Sequence, residues 1–340
     1  MNNGGMLTIP IYNYNLELQL SRLRLHLHLL LPTSTSTSLP PICYNTLMPL
    51  IKLLLIILLL APFTHLGAAI VVGTWNGNWF PSSRAEHRAH PDVERATTEV
   101  AARMLSAALK EVDPEGTNDI ILVLNEIRSP KVASNLLSRI SRKDLALASI
   151  SGYRRRDRYD QQQDVIATTL PVAGHGWSLW RNEKKETPPR GYVYANIILE
   201  PAITARVYAV HLKSNYGANT KEKATLNQAK RAHSARQIAA QIKKRDYVIV
   251  AGDLNTDPWR KEFADEKTFS IFEAAKLKNH LAELPAGKRA THPNRRHGDS
   301  TLDFILSKGF SSLRLPHIEK GCNISDHLAV FTVLEPKKSK

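Results

Sequence analysis

Beyond residue 70 the chain alternates between short apolar runs and longer stretches with apolar residues three and four apart, two periodicities that separate strands from helices. Apolar runs predict strands over 70–74, 119–124, 165–170, 191–200, 202–212, 247–251, 301–307 and 328–334, with 191–200 and 202–212 joined tightly around Glu200-Pro201. Val93, Ala96, Val100, Met104 and Ala107 form one stripe of a helix over 90–111. Pro91 falls in its first turn, where the missing N–H costs little. Further helices are predicted over 130–140 and 221–244. Helices separate some strands and not others, which implies one large α/β or α+β domain with two packed sheets rather than a regular doubly wound sheet. No repeat or linker interrupts 70–335, and 336–340 reads as a loose basic tail.

The first 69 residues follow other rules. Residues 1–47 are low in complexity, with alternating leucines from Leu16 to Leu29 and a Thr-Ser repeat from Thr33 to Ser38. Biased repeats of this kind rarely pack, and 1–47 reads as an extension upstream of a true start at Met48. From Met48 come Lys52, the apolar run 53–61, Pro62 and then Gly67-Ala68-Ala69. That is the order of a secretory signal peptide over 48–69, cleaved after Ala69. The run is shorter than the roughly 20 residues of a bilayer span. Export is therefore expected, to the periplasm or the exterior, with no stable membrane span after cleavage; an uncleaved anchor is the alternative. Cys322 is then the only cysteine of the mature chain, which excludes a disulfide scaffold and a multi-thiolate zinc cage.

Charge narrows the partner. The chain carries 46 Lys+Arg against 31 Asp+Glu, a net +15. Residues 1–69 hold only Arg22, Arg24, Lys52 and Glu17, so +13 remains on the mature part. Such a surface attracts polyanions, nucleic acid or an anionic membrane face.

Polar residues gather where the apolar runs stop. The strands lead into Trp75-Asn76-Gly77-Asn78, Asn125-Glu126, His211-Leu212-Lys213-Ser214-Asn215 and Gly252-Asp253-Leu254-Asn255. Asp303 lies inside an apolar strand, and Asn323-Ile324-Ser325 precedes Asp326-His327. A lone Gly-Asp-x-Asn is often only a turn, because Asp and Asn cap their own backbone. Asp303 differs: a carboxylate among Leu302, Phe304, Ile305 and Leu306 is costly unless paired. Ligands in α/β sheets collect at strand C-termini.

In this order, Trp75-Asn76, Asn125-Glu126, His211-Leu212-Lys213-Ser214, Gly252-Asp253-Leu254-Asn255, Leu302-Asp303-Phe304-Ile305 and Ser325-Asp326-His327 resemble the endonuclease/exonuclease/phosphatase superfamily, the fold of deoxyribonuclease I, over about 70–335. The resemblance implies a four-layered α/β sandwich, two central mixed sheets flanked by helices, with a divalent-metal site at one edge. It implies Glu126 as principal metal ligand, with Asn76 and Asp326 beside it or through water. Asp303 would orient His327, which acts as base or as cationic phosphate ligand. Asp253 competes for orienting the attacking water, and Asn255 and His211 would donate to non-bridging oxygens. The cofactor expected is Mg²⁺, with Mn²⁺ or Ca²⁺ possible, since hard oxygen ligands favour such ions. One departure stands out. Deoxyribonuclease-like members support the histidine matching His211 with a glutamate, whereas this chain reads Asp160-Gln161-Gln162-Gln163-Asp164. Asp164 or a glutamine is left to take that place, and the general acid stays open. Abasic-site nucleases are less similar: they lack this histidine and carry an aspartate where Asn78 stands.

Substrate contacts are expected from Arg128, two residues after Glu126, from Lys213 and Asn215, and from Arg155 and Arg158 in the run between Tyr153 and Tyr159. Arg289, Arg295, Arg296 and His297 form a second basic group. Arginines interleaved with aromatics suit phosphates and stacked bases. The sequence thus favours an exported nuclease, monomeric, acting on DNA or RNA. A lipid or small-molecule phosphoester hydrolase is the first alternative, and no exposed apolar hairpin stands out in the sequence to favour it. A non-catalytic nucleic-acid-binding protein is the second.

Overall fold

A computed structural model describes residues 69–82, 90–155, 158–182, 187–296, 298–321 and 323–338. The extension 1–47, nearly all of the signal segment 48–69, Arg156, Asp157, His297 and Cys322 lie outside them.

The strands, in chain order, are β1 (Ile70–Phe80), β2 (Asp119–Ile127), β3 (Ala146–Ile150), β4 (Arg154–Arg155), β5 (Arg158–Tyr159), β6 (Gln163–Thr168), β7 (Val172–Leu179), β8 (Gly191–Glu200), β9 (Ile203–His211), β10 (Val248–Asp253), β11 (Lys278–Asn279), β12 (Asp303–Lys308), β13 (Phe310–Ser312), β14 (His317–Ile318) and β15 (Val330–Pro336). The α-helices are α1 (Pro91–Val112), α2 (Pro130–Leu137), α3 (Lys221–Ile242) and α4 (Thr268–Ala274). One sheet runs β13-β15-β1-β2-β6-β3 with β14 on β15, the other β11-β12-β10-β9-β8-β7. Each has a single parallel pair, β1 with β2 and β9 with β10. Two mixed sheets with helices on their outer faces make the expected α/β sandwich.

Period-two alternation assigns the faces. Ile70, Val72, Ile121, Val123 and Ile166 share one core cluster with Val193, Ala195, Val207 and Ala209 of the second sheet, and with Ala235, Ile238 and Phe272 of α3 and α4. Val71, Ile120, Leu122 and Leu124 point the other way, against Ala101, Leu105 and Leu136 of α1 and α2. Central strands buried on both faces read as unbroken apolar runs, which is why they are visible in the sequence. Ser129 and Thr220 cap α2 and α3 by accepting N–H bonds from Val132 and Lys223, both at 3.3 Å.

Three strands continue past their apolar runs: β1 to Phe80, β2 to Ile127 and β10 to Asp253. Asn76, Asn125 and Asp253 are thus rungs of the ladders, whereas Glu126 sits where the register of β2 breaks with both β1 and β6. The run over 165–170 is shifted, forming β6 at Gln163–Thr168. No described helix is long and apolar enough to cross a membrane.

Gly252 is needed where β10 meets β9. Its φ is +135°, and a Cβ there would lie 2.0 Å from the Val210 carbonyl oxygen. Gly252→Ala should therefore cost about 2 kcal/mol or more of stability, because backbone on both strands must move. A denaturation midpoint within the scatter of the unmodified protein would contradict this.

Candidate active site

The parallel pairs bring four strand ends to one edge of the sandwich. Asn76 is paired in register with Asn125, and Asp253 with both His211 and Asp303. Asp253 is the hub. Its Oδ2 accepts from Asn76 Nδ2 at 2.9 Å and Asn255 Nδ2 at 2.8 Å, and its Oδ1 from Asn255 N–H at 2.8 Å. His211 Nε2 and His327 Nε2 stand 3.5 and 3.9 Å from Oδ2. The Gly-Asp-x-Asn segment is thus a self-capping turn and a site element at once.

Glu126 faces the same space from the first sheet. Asn76 Nδ2 donates to its Oε1 at 3.3 Å, and Trp79 N–H to its Oε2 at 3.1 Å. Gln162 Nε2 also donates to Oε2, and Gln162 Oε1 in turn accepts from Arg190 Nη1 at 2.7 Å. His211 Nε2 is 3.6 Å from Oε1. On the far side, His327 Nδ1 is hydrogen-bonded to Asp303 Oδ2 at 2.7 Å. Backbone anchors hold this dyad: Thr291 Oγ1 accepts the N–H groups of Leu302 and Asp303, and Ser325 Oγ accepts His327 N–H while donating to the Asn76 carbonyl. The dyad itself spans the layers: Asp303 opens β12 of the second sheet, whereas His327, like Ser325, lies in the loop that enters β15 of the first, beside β1.

The backbone is strained here. Asn78, Trp79, Glu126, Arg190 and Asn255 all have φ between 48° and 63°, the left-handed region. Non-glycine residues persist there when the surroundings over-determine them, at roughly 1–3 kcal/mol each, and such residues cluster at functional sites.

Electrostatics separate the two histidines. Burial alone would lower His327, but Asp303 and Asp253 outweigh it and raise the imidazole to about 10. His211 is pushed well below its usual value by burial and by the positive charges of Arg190, His327 and Lys213. Its Nδ1 is buried and has no hydrogen-bond partner among the described residues. Burial raises Asp253 to about 7, with Asp303 adding to it and His327 opposing. His327 is therefore a cation at neutral pH and His211 a neutral imidazole.

Most of the expected residues converge: Asn76, Glu126, His211, Asp253, Asn255, Asp303 and His327. Others do not join them. Arg128 spends its guanidinium on Glu94 and Ser82, clamping the end of β2 to α1. Asn215 Oδ1 accepts from Arg231 Nη1 at 3.0 Å, and Arg231 is itself wholly buried against Glu266, so Asn215 serves as a loop anchor. The Asp326 carboxylate is half exposed and faces His292 Nε2 at 3.5 Å rather than Glu126. Asp164 does not replace the missing glutamate beside His211; it accepts from Asn125 Nδ2 at 2.7 Å and Tyr153 OH at 3.2 Å, and Asn125 Oδ1 accepts Asp253 N–H at 3.0 Å. Arg155 and Arg158 lie in the β4–β5 hairpin, their side chains outside the described residues. Lys213 stays at the site edge, half-buried. Arg190 was not foreseen: it precedes β8 in a charged, proline-containing stretch with no periodicity to flag it.

The donor set fits a divalent cation. Glu126 and Asp253 present buried carboxylate oxygens whose direct hydrogen bonds come from amide N–H groups, so that both retain oxygen lone pairs turned to the shared space. Glu126, Asp253 and the Asn76 amide would hold such an ion; oxygen donors suit Mg²⁺, Mn²⁺ or Ca²⁺. The Asn76 oxygen accepts Asn78 N–H at 2.9 Å and keeps a second lone pair with which it could meet the ion.

The Endonuclease/Exonuclease/phosphatase family profile matches residues 73–327. No curated protein sequence matches the chain. Among solved structures, an endonuclease/exonuclease/phosphatase from Beutenbergia cavernae is similar at 18% identity and TM-score 0.54, covering 79% of this chain and 72% of its own. Sphingomyelinase C from Streptomyces griseocarneus is similar at 17% identity and TM-score 0.52, covering 78% and 99%. A mutant beta toxin from Staphylococcus aureus with bound magnesium ions is similar at 15% identity and TM-score 0.51, covering 79% and 99%.

Proposed function

The chain belongs to the endonuclease/exonuclease/phosphatase family, and from that premise we propose that it is an exported, divalent-metal-dependent phosphodiesterase that hydrolyses DNA or RNA. The convergence of Glu126, Asp253, His211 and Asp303 from the ends of four strands, with His327 from the loop before β15, carries the reading. A bound cation would neutralise the phosphate and acidify a water. The chain's own residues do the rest. His327, charged and oriented by Asp303, donates to a non-bridging oxygen and stabilises the charge that builds there. Asp253, sharing its proton affinity with the His327 pair, orients the attacking water. Asn255 and neutral His211 hold the phosphate in line. The +13 balance of the mature part supports a polyanionic substrate, and the leader-like segment 48–69 supports export.

A lipid or small phosphodiester is the second reading. It is favoured by Trp177 and Leu179, 42% and 56% exposed on the outward face of edge strand β7, an apolar stripe the sequence did not disclose. A panel of plasmid, linear DNA, RNA, sphingomyelin and a small diester, each with Mg²⁺, Mn²⁺, Ca²⁺ or chelator, separates the two. Cleavage of sphingomyelin with DNA and RNA left intact would replace the nuclease assignment. Amino-terminal sequencing of the exported chain tests cleavage after Ala69.

A further inference from the structure

Arg190 is a guanidinium without an anion. Among the described residues it makes no ion pair; its one hydrogen bond runs from Nη1 to the neutral Gln162 Oε1, and its buried Nε has no partner. A partly buried charge left unpaired is costly, so its retention calls for a partner outside the chain. The carboxylate whose field reaches it, Asp164, gives its oxygens to Asn125 and Tyr153.

Its position is fixed in advance. Arg190 has φ +63°, and its carbonyl accepts Trp180 N–H at 3.3 Å. Gly191 allows the close approach that follows, since a Cβ there would lie 1.8 Å from the Ser178 carbonyl oxygen. The opposite strand is clamped to α3, where Gln237 accepts Arg181 N–H at 2.9 Å and His233 Nε2 bonds the Arg181 carbonyl at 3.0 Å. Lys213 lies within reach of the Arg190 charge, and Arg231 Nη1 holds its backbone carbonyl at 2.7 Å. Arg190 thus stands one residue outward from Glu126 through Gln162, while Lys213, two residues beyond His211, turns its Nζ to the Ser214 carbonyl.

We propose that Arg190, with Lys213, forms an anion subsite for a phosphate flanking the scissile one, so that the enzyme selects phosphodiesters with neighbouring phosphates, as in a nucleic-acid backbone. This deepens the nuclease assignment and rests on it. The test is binding of a fluorescent single-stranded oligodeoxynucleotide to the full chain, in chelator, over a range of salt. Arg190→Gln is expected to weaken binding by roughly tenfold and to reduce the slope of log affinity against log salt by about 1, the signature of one lost phosphate contact. Arg190→Lys, which keeps the charge, should restore most of the slope. Unchanged affinity and slope in Arg190→Gln would overturn the subsite, as would an equal loss in Arg190→Lys, which would mark a structural role. If the unmodified protein binds the oligonucleotide and Arg190→Gln weakens it, yet neither DNA nor RNA is cut with any metal, the subsite stands and the nuclease assignment falls.

Discussion

Glu126→Ala is expected to lower the metal-dependent rate by about 10³-fold, equivalent to about 4 kcal/mol of transition-state stabilisation. The side chain is the one carboxylate that the first sheet contributes to the cluster, where it is met by Asn76, Trp79 N–H and Gln162. Without it, an ion would be left with ligands from the second sheet and a neutral amide, too few to fix its place. Stability should not fall in parallel. Removing a buried carboxylate that lacks a close cation is often neutral or stabilising in the absence of metal. Steady-state rates across a metal titration, paired with denaturation in chelator, check both halves. A variant that retains more than a tenth of the rate at saturating Mg²⁺ would place the ion elsewhere.

His327→Ala should cost 10²–10⁴ in kcat, the usual worth of a positioned proton donor. The pH dependence tells how it acts. With the folded imidazole raised to about 10 from an ordinary 6.5, chiefly because Asp303 and Asp253 overcome the cost of burial, His327 carries its proton throughout the neutral range. A raised histidine stabilises the fold fully below about 6.5 and loses that contribution as pH climbs through 10. Chelator-treated protein should therefore weaken between those limits. Asp303→Asn, which removes the Nδ1 partner at 2.7 Å, should flatten the trend and move the imidazole resonance down in an NMR titration. An imidazole titrating near 6 in the unmodified protein would restore the general-base role.

The fold was legible because its central strands are buried on both faces, so that β1, β2, β9 and β10 read as unbroken apolar runs that stop abruptly at Asn76, Glu126, His211 and Asp253. Asp303 betrayed itself by its apolar neighbours. What stayed hidden depended on partners distant along the chain. Arg128 could not show that Glu94, on a helix ahead of it, would take its charge. Asn215 gave no sign of Arg231, nor Asp326 of His292. Strand β7 escaped because Gly174, His175 and Gly176 blur its alternation. The glutamine run did announce a departure beside His211, but only the sandwich shows its outcome, with Gln162 facing Arg190 and Glu126 instead.

The seam closed by the Asn76–Asp253 and His327–Asp303 bonds has a mechanical corollary. Because Glu126, Asn76 and the loop bearing His327 ride on one sheet while Asp253, His211 and Asp303 ride on the other, any sliding of the two layers changes the gap across which a phosphate would be gripped. Remote core substitutions at Val72 or Ile121, which alter the thickness of the filling between the layers, should then act as a vernier on turnover, detuning it well before the protein melts.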